Sequence, residues 1–158
     1  VTGDREWKDR DYVFNVLDDI RSLYGVQRVR EGCARGVDRI VGWPCPSVKL
    51  TKKQPEPPAG WASSRGIPVD HFPADWDRYQ RAAGPIRNEQ MLKGGDPVVY
   101  PDMVVAFHPT FQTSKGTKDM VERARKAGIE LIFIFPHHDV PRDFNFKQSV
   151  LFDKMEES

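Results

Sequence analysis

The chain has 158 residues, the size of one ordinary domain. Lys and Arg total 24 against 23 Asp and Glu, a net charge of +1, which excludes a nucleic-acid binder working through bulk positive charge. Hydrophobic residues at 39% and charged residues at 30% describe a globular mixture, not a disordered one.

The chain opens on Val1-Thr2-Gly3, which reads as the end of a first strand and its turn. A parallel strand needs about four more residues upstream, so either strand one is very short or the sequence starts inside it. Residues 9–24 place Tyr12, Val13, Val16, Leu17, Ile20 and Leu23 on one helical stripe, with Gly25 as the stop. Val26 to Glu31 is a short strand. Residues 36–42 are helical, with Val37, Ile40 and Val41 apolar. The stretch 43–60, WPCPSVKLTKKQPEPPAG, then interrupts this helix. Its Pro44, Pro46, Pro55, Pro57 and Pro58 forbid regular helix or central strand, so an inserted, mobile surface loop is expected. The alternative is an ordered loop packed by Trp43 and Trp61. The helix resumes over 61–65 before Gly66, and Ile67 to Phe72 is a strand. Pro85 sits in the first turn of a helix running to about Lys93. Met103 to Phe107 is a buried-type strand, Thr117 to Ala127 a helix, and Ile129 to Phe135 the most hydrophobic strand. Strands alternating with helices predict an α/β fold: one Rossmann-like domain with a parallel sheet of about five strands and helices on both faces. The chain beyond about 136 is a C-terminal extension.

The longest clean apolar run, Leu131 to Phe135, is far shorter than the ~20 residues of a membrane span. No basic-then-apolar leader opens the sequence, so none is expected. Two cysteines, Cys33 and Cys45, make no disulfide framework, and a reducing cytoplasm is the expected compartment.

Open α/β sheets bind ligands at the carboxyl ends of their strands. Four segments fall there. Thr2-Gly3-Asp4-Arg5 offers a tight turn and an arginine suited to phosphate or carboxylate. Gly32-Cys33-Ala34-Arg35-Gly36 opens a helix whose free backbone N–H groups would hold an anion, with Asp38 in the first turn to meet a ribose hydroxyl or cap the helix. Arg87-Asn88 lies in the first turn after Gly84-Pro85, where a cation opposes the helix dipole and so points to an anionic partner. Ser114-Lys115-Gly116-Thr117, followed by Asp119, resembles a phosphate cradle at a helix start. None of these matches the dinucleotide fingerprint or the P-loop.

Taken together, TGDR, GCARGVDR, FPADWDRYQRAAGPIRNEQM, VVAF and SKGTKDMVERARKAGI resemble the YspA/YpsA-related branch of the SLOG superfamily. The resemblance spans about 1–135 without the insertion. It implies a Rossmann-like fold that binds nucleotides or nucleotide-derived ligands. Relatives in that superfamily include LOG enzymes, which hydrolyse the N-glycosidic bond of nucleoside monophosphates, DprA-like DNA-binding proteins, and sensor domains. Arg87 matches the LOG active-site arginine. The LOG loop P-G-G-x-G-T-x-x-E is here Thr113 to Met120, with Met120 at the catalytic glutamate position and Asp119 beside it. The usual glycine or histidine-glycine pair before the A-R-G run is Gly32-Cys33.

Two functions follow. In one, the protein binds a nucleotide-derived small molecule as a sensor or sequestering module. In the other, it cuts an N-glycosidic bond with Arg87 and Asp119 as the catalytic pair. Met120 in place of glutamate favours the first. No metal and no other cofactor is expected, since His71, His108, His137 and His138 lack ligand spacing. Cys33 has no identifiable histidine partner, so a cysteine nucleophile is not expected. Trp76 and Tyr79 either stack on a base or belong to the core. The tail residues Phe144, Phe146, Val150, Leu151 and Phe152 dock on the domain or, as the second reading, on a partner in a homodimer. Neither membrane nor DNA is an expected partner.

Overall fold

The computed structural model describes residues 1–110 and 113–136. The first long element, α1 (Arg10–Tyr24), is capped at both ends. The Asp9 carboxylate accepts the Tyr12 N–H at 2.9 Å, satisfying one of the orphan amides of the first turn. Gly25, at φ 69°, returns its N–H to the Arg21 carbonyl. Between these caps Val13, Val16, Leu17 and Ile20 form the buried stripe. Leu23, one turn further on, is exposed.

The other elements are β1 (Thr2–Gly3), β2 (Val29–Glu31), α2 (Val37–Gly42), α3 (Trp61–Ser64), β3 (Val69–His71), α4 (Trp76–Tyr79), α5 (Ala83–Lys93), β4 (Met103–Phe107), α6 (Lys115–Lys126) and β5 (Glu130–Ile134). All five strands of the described residues run parallel, in two sheets, β1-β4-β5 and β2-β3. The expected single sheet is thus divided. Both residues of β1 pair with β4, and its tie towards β2 is one bond from the Val1 amine to the Arg30 carbonyl, 2.7 Å.

Helices cover both faces of the β1-β4-β5 sheet. Val105 and Phe107 of β4 join Val13, Val37 and Trp61 in one core, while Val104 joins Met91, Leu92, Met120 and Ala124 in the other. Successive strand side chains point to opposite faces, and burial on both sides explains why MVVAF is apolar throughout. Among the described residues, no helix is long and apolar enough to cross a membrane.

The proline-rich insertion joins α2 to α3. Its ends follow the ordered alternative: Trp43 and Trp61 are buried, and the Trp43 carbonyl accepts both the Gly60 N–H (2.7 Å) and the Ser63 hydroxyl (2.8 Å). Residues 51–56 are exposed. Cys45 is bridged to Cys33 by a disulfide, against the expectation of two reduced thiols. Limited trypsin digestion is expected to cut first after Lys49, Lys52 or Lys53, since their neighbourhood lies outside any helix or ladder. A first cut within 85–127 would contradict this arrangement. His137, His138 and the aromatic tail residues lie outside the described residues.

Candidate anion-binding site

Register and turns bring distant segments together at the C-terminal ends of β1, β2 and β3. A Cβ on Gly3 would meet the Val37 side chain at 2.5 Å and the Phe107 carbonyl at 2.7 Å, so only glycine lets this turn lie on α2 and β4. A Cβ on Gly32 would overlap the Arg87 guanidinium. Arg87 reaches across from α5: Nη1 donates to the Gly32 carbonyl at 2.6 Å, Nε donates to Asn88 Oδ1 at 3.0 Å, and Asp38 Oδ2 lies 3.7 Å away. Asn88 then donates through Nδ2 to the Gly116 carbonyl (3.0 Å) and to Asp119 Oδ2 (2.9 Å). Arg123 closes the chain by donating to Asp119 Oδ2 at 2.9 Å. Gly32, Asp38, Arg87, Asn88, Gly116 and Asp119 are thereby held in one hydrogen-bonded line through the molecule.

Several expectations need correction. The amides expected to be free at the 32–36 turn are occupied by the chain's own carboxylates. Asp38 Oδ2 accepts from Gly32 and Ala34 N–H, both at 3.2 Å, and Glu31 Oε2 accepts from Cys33 N–H at 2.6 Å. Asp38 therefore caps the turn from inside. Helix α5 begins at Ala83, which moves Arg87 to its second turn. Its charge answers Asp38 more than the helix dipole. Helix α6 begins at Lys115, and the Ser114 hydroxyl accepts the Thr117 N–H at 3.2 Å, so the supposed cradle is capped by its own serine. Ser114, Lys115, Gly116 and Thr117 lie beyond Asn88 and do not line the arginine cavity described next; nor do Thr2 and Asp4. The Asp4 backbone ties the first turn, donating to the Phe107 carbonyl at 2.8 Å and accepting from Val37 at 3.3 Å. Met120 is buried in the core beneath α6.

A cavity of about 330 Å³ opens beside this line. Arg5, Arg35, Arg39 and Arg87 line it, together with Trp76 and the 32–34 turn. Arg35 meets Glu6 at 3.3 Å on the exposed rim, and Arg87 meets Asp38. Among the described residues, Arg5 and Arg39 have no carboxylate at ion-pair distance, and Arg39 Nε is buried without a hydrogen-bond partner. Trp76 is half exposed, with the Arg5 guanidinium 5.8 Å from its ring centre. Positive charge exceeds negative charge here, in a recess of ligand-binding size. Burial raises the carboxyls of both Asp38 and Glu31 above their ordinary range, against the lowering pull of Arg87 on the first and of His71 on the second. A larger cavity, about 570 Å³, opens beside the starts of β2, β4 and β5 and is mainly apolar, with Leu17, Ile20, Tyr24 and Met103 among its walls. None of the four arginines lines it.

Gene 61 protein of Mycobacterium phage D29 is 32% identical to this chain, over 84% of the chain and 91% of the phage protein. The chain belongs to the family of the phage Gene 61 protein. No protein-family profile matches it, and no solved structure matches it.

Glu31 and Arg39 are not among the sequence candidates for this region, and the sequence offers Cys45 and His71 only as a reduced thiol and a histidine without ligand spacing. Arg39 lies in the first turn of the six-residue α2. Glu31, Cys45 and His71 meet at the far end of the 32–34 turn, and Cys33 Sγ lies 3.9 Å from His71 Nδ1, a histidine neighbour that spacing did not reveal. The available signal was positional: Glu31 and His71 each end a strand.

Proposed function

We propose that this protein binds a nucleotide or nucleotide-derived ligand in the arginine-lined cavity, as a sensor or sequestering module. The observation that carries this reading is four arginines, Arg5, Arg35, Arg39 and Arg87, around one recess, two of which, Arg5 and Arg39, have no carboxylate at ion-pair distance among the described residues. An anionic phosphate supplies the missing countercharge, and guanidinium groups suit phosphate oxygens geometrically. Trp76 on the same wall offers a face for a base, as aromatic platforms do for stacked nucleobases. The same chemistry agrees with the SLOG resemblance.

Binding without hydrolysis is favoured by the surroundings of Asp119. Its Oδ2 already accepts from Asn88 and Arg123, and it stands outside the cavity. That makes it a positioning group for Asn88, not an acid or base facing a ligand.

A thermal-shift panel of nucleoside monophosphates, cyclic nucleotides, NAD and ADP-ribose tests the reading, because a ligand that binds the folded state raises Tm by mass action. At least one phosphate-bearing nucleotide is expected to raise Tm, and its free nucleoside to do so far less. Chromatography of the same mixtures is expected to show no free base after hours. Steady base release by the wild type, lost in Asp119→Asn, would establish the hydrolase instead.

A further inference from the structure

Beside the arginine cavity lies a second cluster that the nucleotide reading does not use. Strands β2 and β3 pair in parallel with Glu31 opposite His71, so both side chains project from the last rung of one ladder. The turn after β2 adds Cys33, and the insertion returns Cys45 to the same point. One donor atom from each of Glu31, Cys33, Cys45 and His71 lies within 4.8 Å of every other.

We propose that Glu31, Cys33, Cys45 and His71, with the cysteines reduced, form a four-coordinate zinc site that fastens the proline-rich insertion to the ends of β2 and β3. The donor set is two thiolates, an imidazole and a carboxylate, a combination that suits Zn²⁺. Ligand bonds of about 2.0–2.3 Å place tetrahedral donors about 3.3–3.8 Å apart. Cys33 Sγ is 3.5 Å from Glu31 Oε1 and 3.9 Å from His71 Nδ1. His71 Nδ1 also touches Glu31 Oε1 directly. The second carboxylate oxygen, Oε2, is held by the Cys33 N–H at 2.6 Å, which leaves Oε1 as the single ligating atom. A Cβ on residue 42 would press on the Glu31 side chain at 2.6 Å, so Gly42 clears room for that carboxylate. Glu31 is 1% exposed, and a carboxylate held out of water in this way is stabilised by a cation bound to it.

The disulfide and the ion are alternative occupants of one place. Reduction of the bridge by a phosphine takes two electrons from phosphorus and two protons from water, whose oxygen leaves as the phosphine oxide, and yields two thiols; a dithiol supplies both electrons and protons as it closes to its own disulfide. Binding of Zn²⁺ then releases both thiol protons to solvent as two S–Zn bonds form. The sulfurs separate from bonding contact to about 3.8 Å.

The proposal does not rest on nucleotide binding, and its test uses the metal alone. The full chain is reduced with a phosphine, freed of metal and titrated with Co²⁺ anaerobically. Wild type is expected to take up one ion, with intense visible bands and the sulfur-to-cobalt charge-transfer band of a tetrahedral thiolate site. Added Zn²⁺ is expected to bleach both. His71→Asn and Glu31→Gln keep both cysteines, so the bridge can still form in them; each is expected to weaken Co²⁺ binding by tenfold or more. Circular dichroism checks that the variants fold. If Glu31→Gln, at the buried position, does not fold, His71→Asn at the more open one decides. Reduced wild type without thiolate–cobalt bands, or His71→Asn binding Co²⁺ as tightly as wild type, would overturn the proposal and leave a disulfide only.

Discussion

Replacing Arg87 by alanine is expected to destabilise the fold by about 3–5 kcal/mol near pH 7, because it strands a buried carboxylate. That is a large part of the roughly 5–15 kcal/mol that holds a domain together. Asp38 is buried, Arg87 is its cation at 3.7 Å, and the Gly32 carbonyl also loses its donor. Acid should relieve the penalty. Burial raises the Asp38 carboxyl above its ordinary 3.8, and Arg87 pulls it back down. A group whose folded pKa is raised contributes its full stability below the unfolded value and loses it as pH climbs through the folded one. Without Arg87 the folded value climbs further, so the loss spans a wider window and is larger at pH 7 than at pH 5. In an Asp38→Asn background nothing titrates there, and the Arg87→Ala cost should fall to about 1–2 kcal/mol and lose its pH dependence. Urea midpoints of the four proteins at both pH values measure this. Equal penalties in the two backgrounds would contradict a coupled pair.

Trp61→Ala is expected to cost a similar amount, about 3–5 kcal/mol, by opening a cavity in the core. Trp61 is fully buried where the chain re-enters the domain after the insertion, and its indole N–H donates to Asp18 Oδ1 at 2.9 Å. Asp18 in turn pairs with Arg65 through Oδ2 at 2.5 Å, so one residue joins α1, α3 and the return of the loop. Trp61→Phe keeps most of the burial and loses the hydrogen bond, for an expected cost of about 1–2 kcal/mol. Thermal or urea unfolding ranks the two. Trp61→Ala within about 1 kcal/mol of wild type would place this side chain outside the core.

What the sequence disclosed depended on how local the cause was. Helix α1 was legible because its apolar stripe and its glycine stop lie close together in the chain, and β4 because burial on both faces demands an unbroken apolar run. Helix α5 was blurred at its start, since Gly84 and Pro85 look like a boundary yet fit inside a first turn whose amides have no helical partner anyway. The joining of Gly32 with Arg87 was foreseen through the strand-end rule. A capping role for Asp38 was among the expectations, but its acceptance from the Gly32 and Ala34 amides, and that of Glu31 from Cys33, was not, because the turn that folds back onto those carboxylates is not written in their spacing. Least legible was the approach of His71 to Glu31, forty residues apart and fixed by strand register alone. Arg39 was invisible for a related reason: what sets it apart is the lack of a partner, and only packing reveals that.

Whether the arginine-lined cavity receives a phosphate-bearing nucleotide is tested most directly by calorimetric titration of the strongest nucleotide from the thermal-shift panel into wild type and Arg39→Ala. Arg39 has no ion-pair partner among the described residues, so its removal should leave Tm nearly unchanged. It should also remove a charge-assisted contact of about 1.5–3 kcal/mol, weakening Kd by roughly ten- to a hundredfold. Equal affinity in the two proteins, with both fully folded, would contradict nucleotide binding in this cavity.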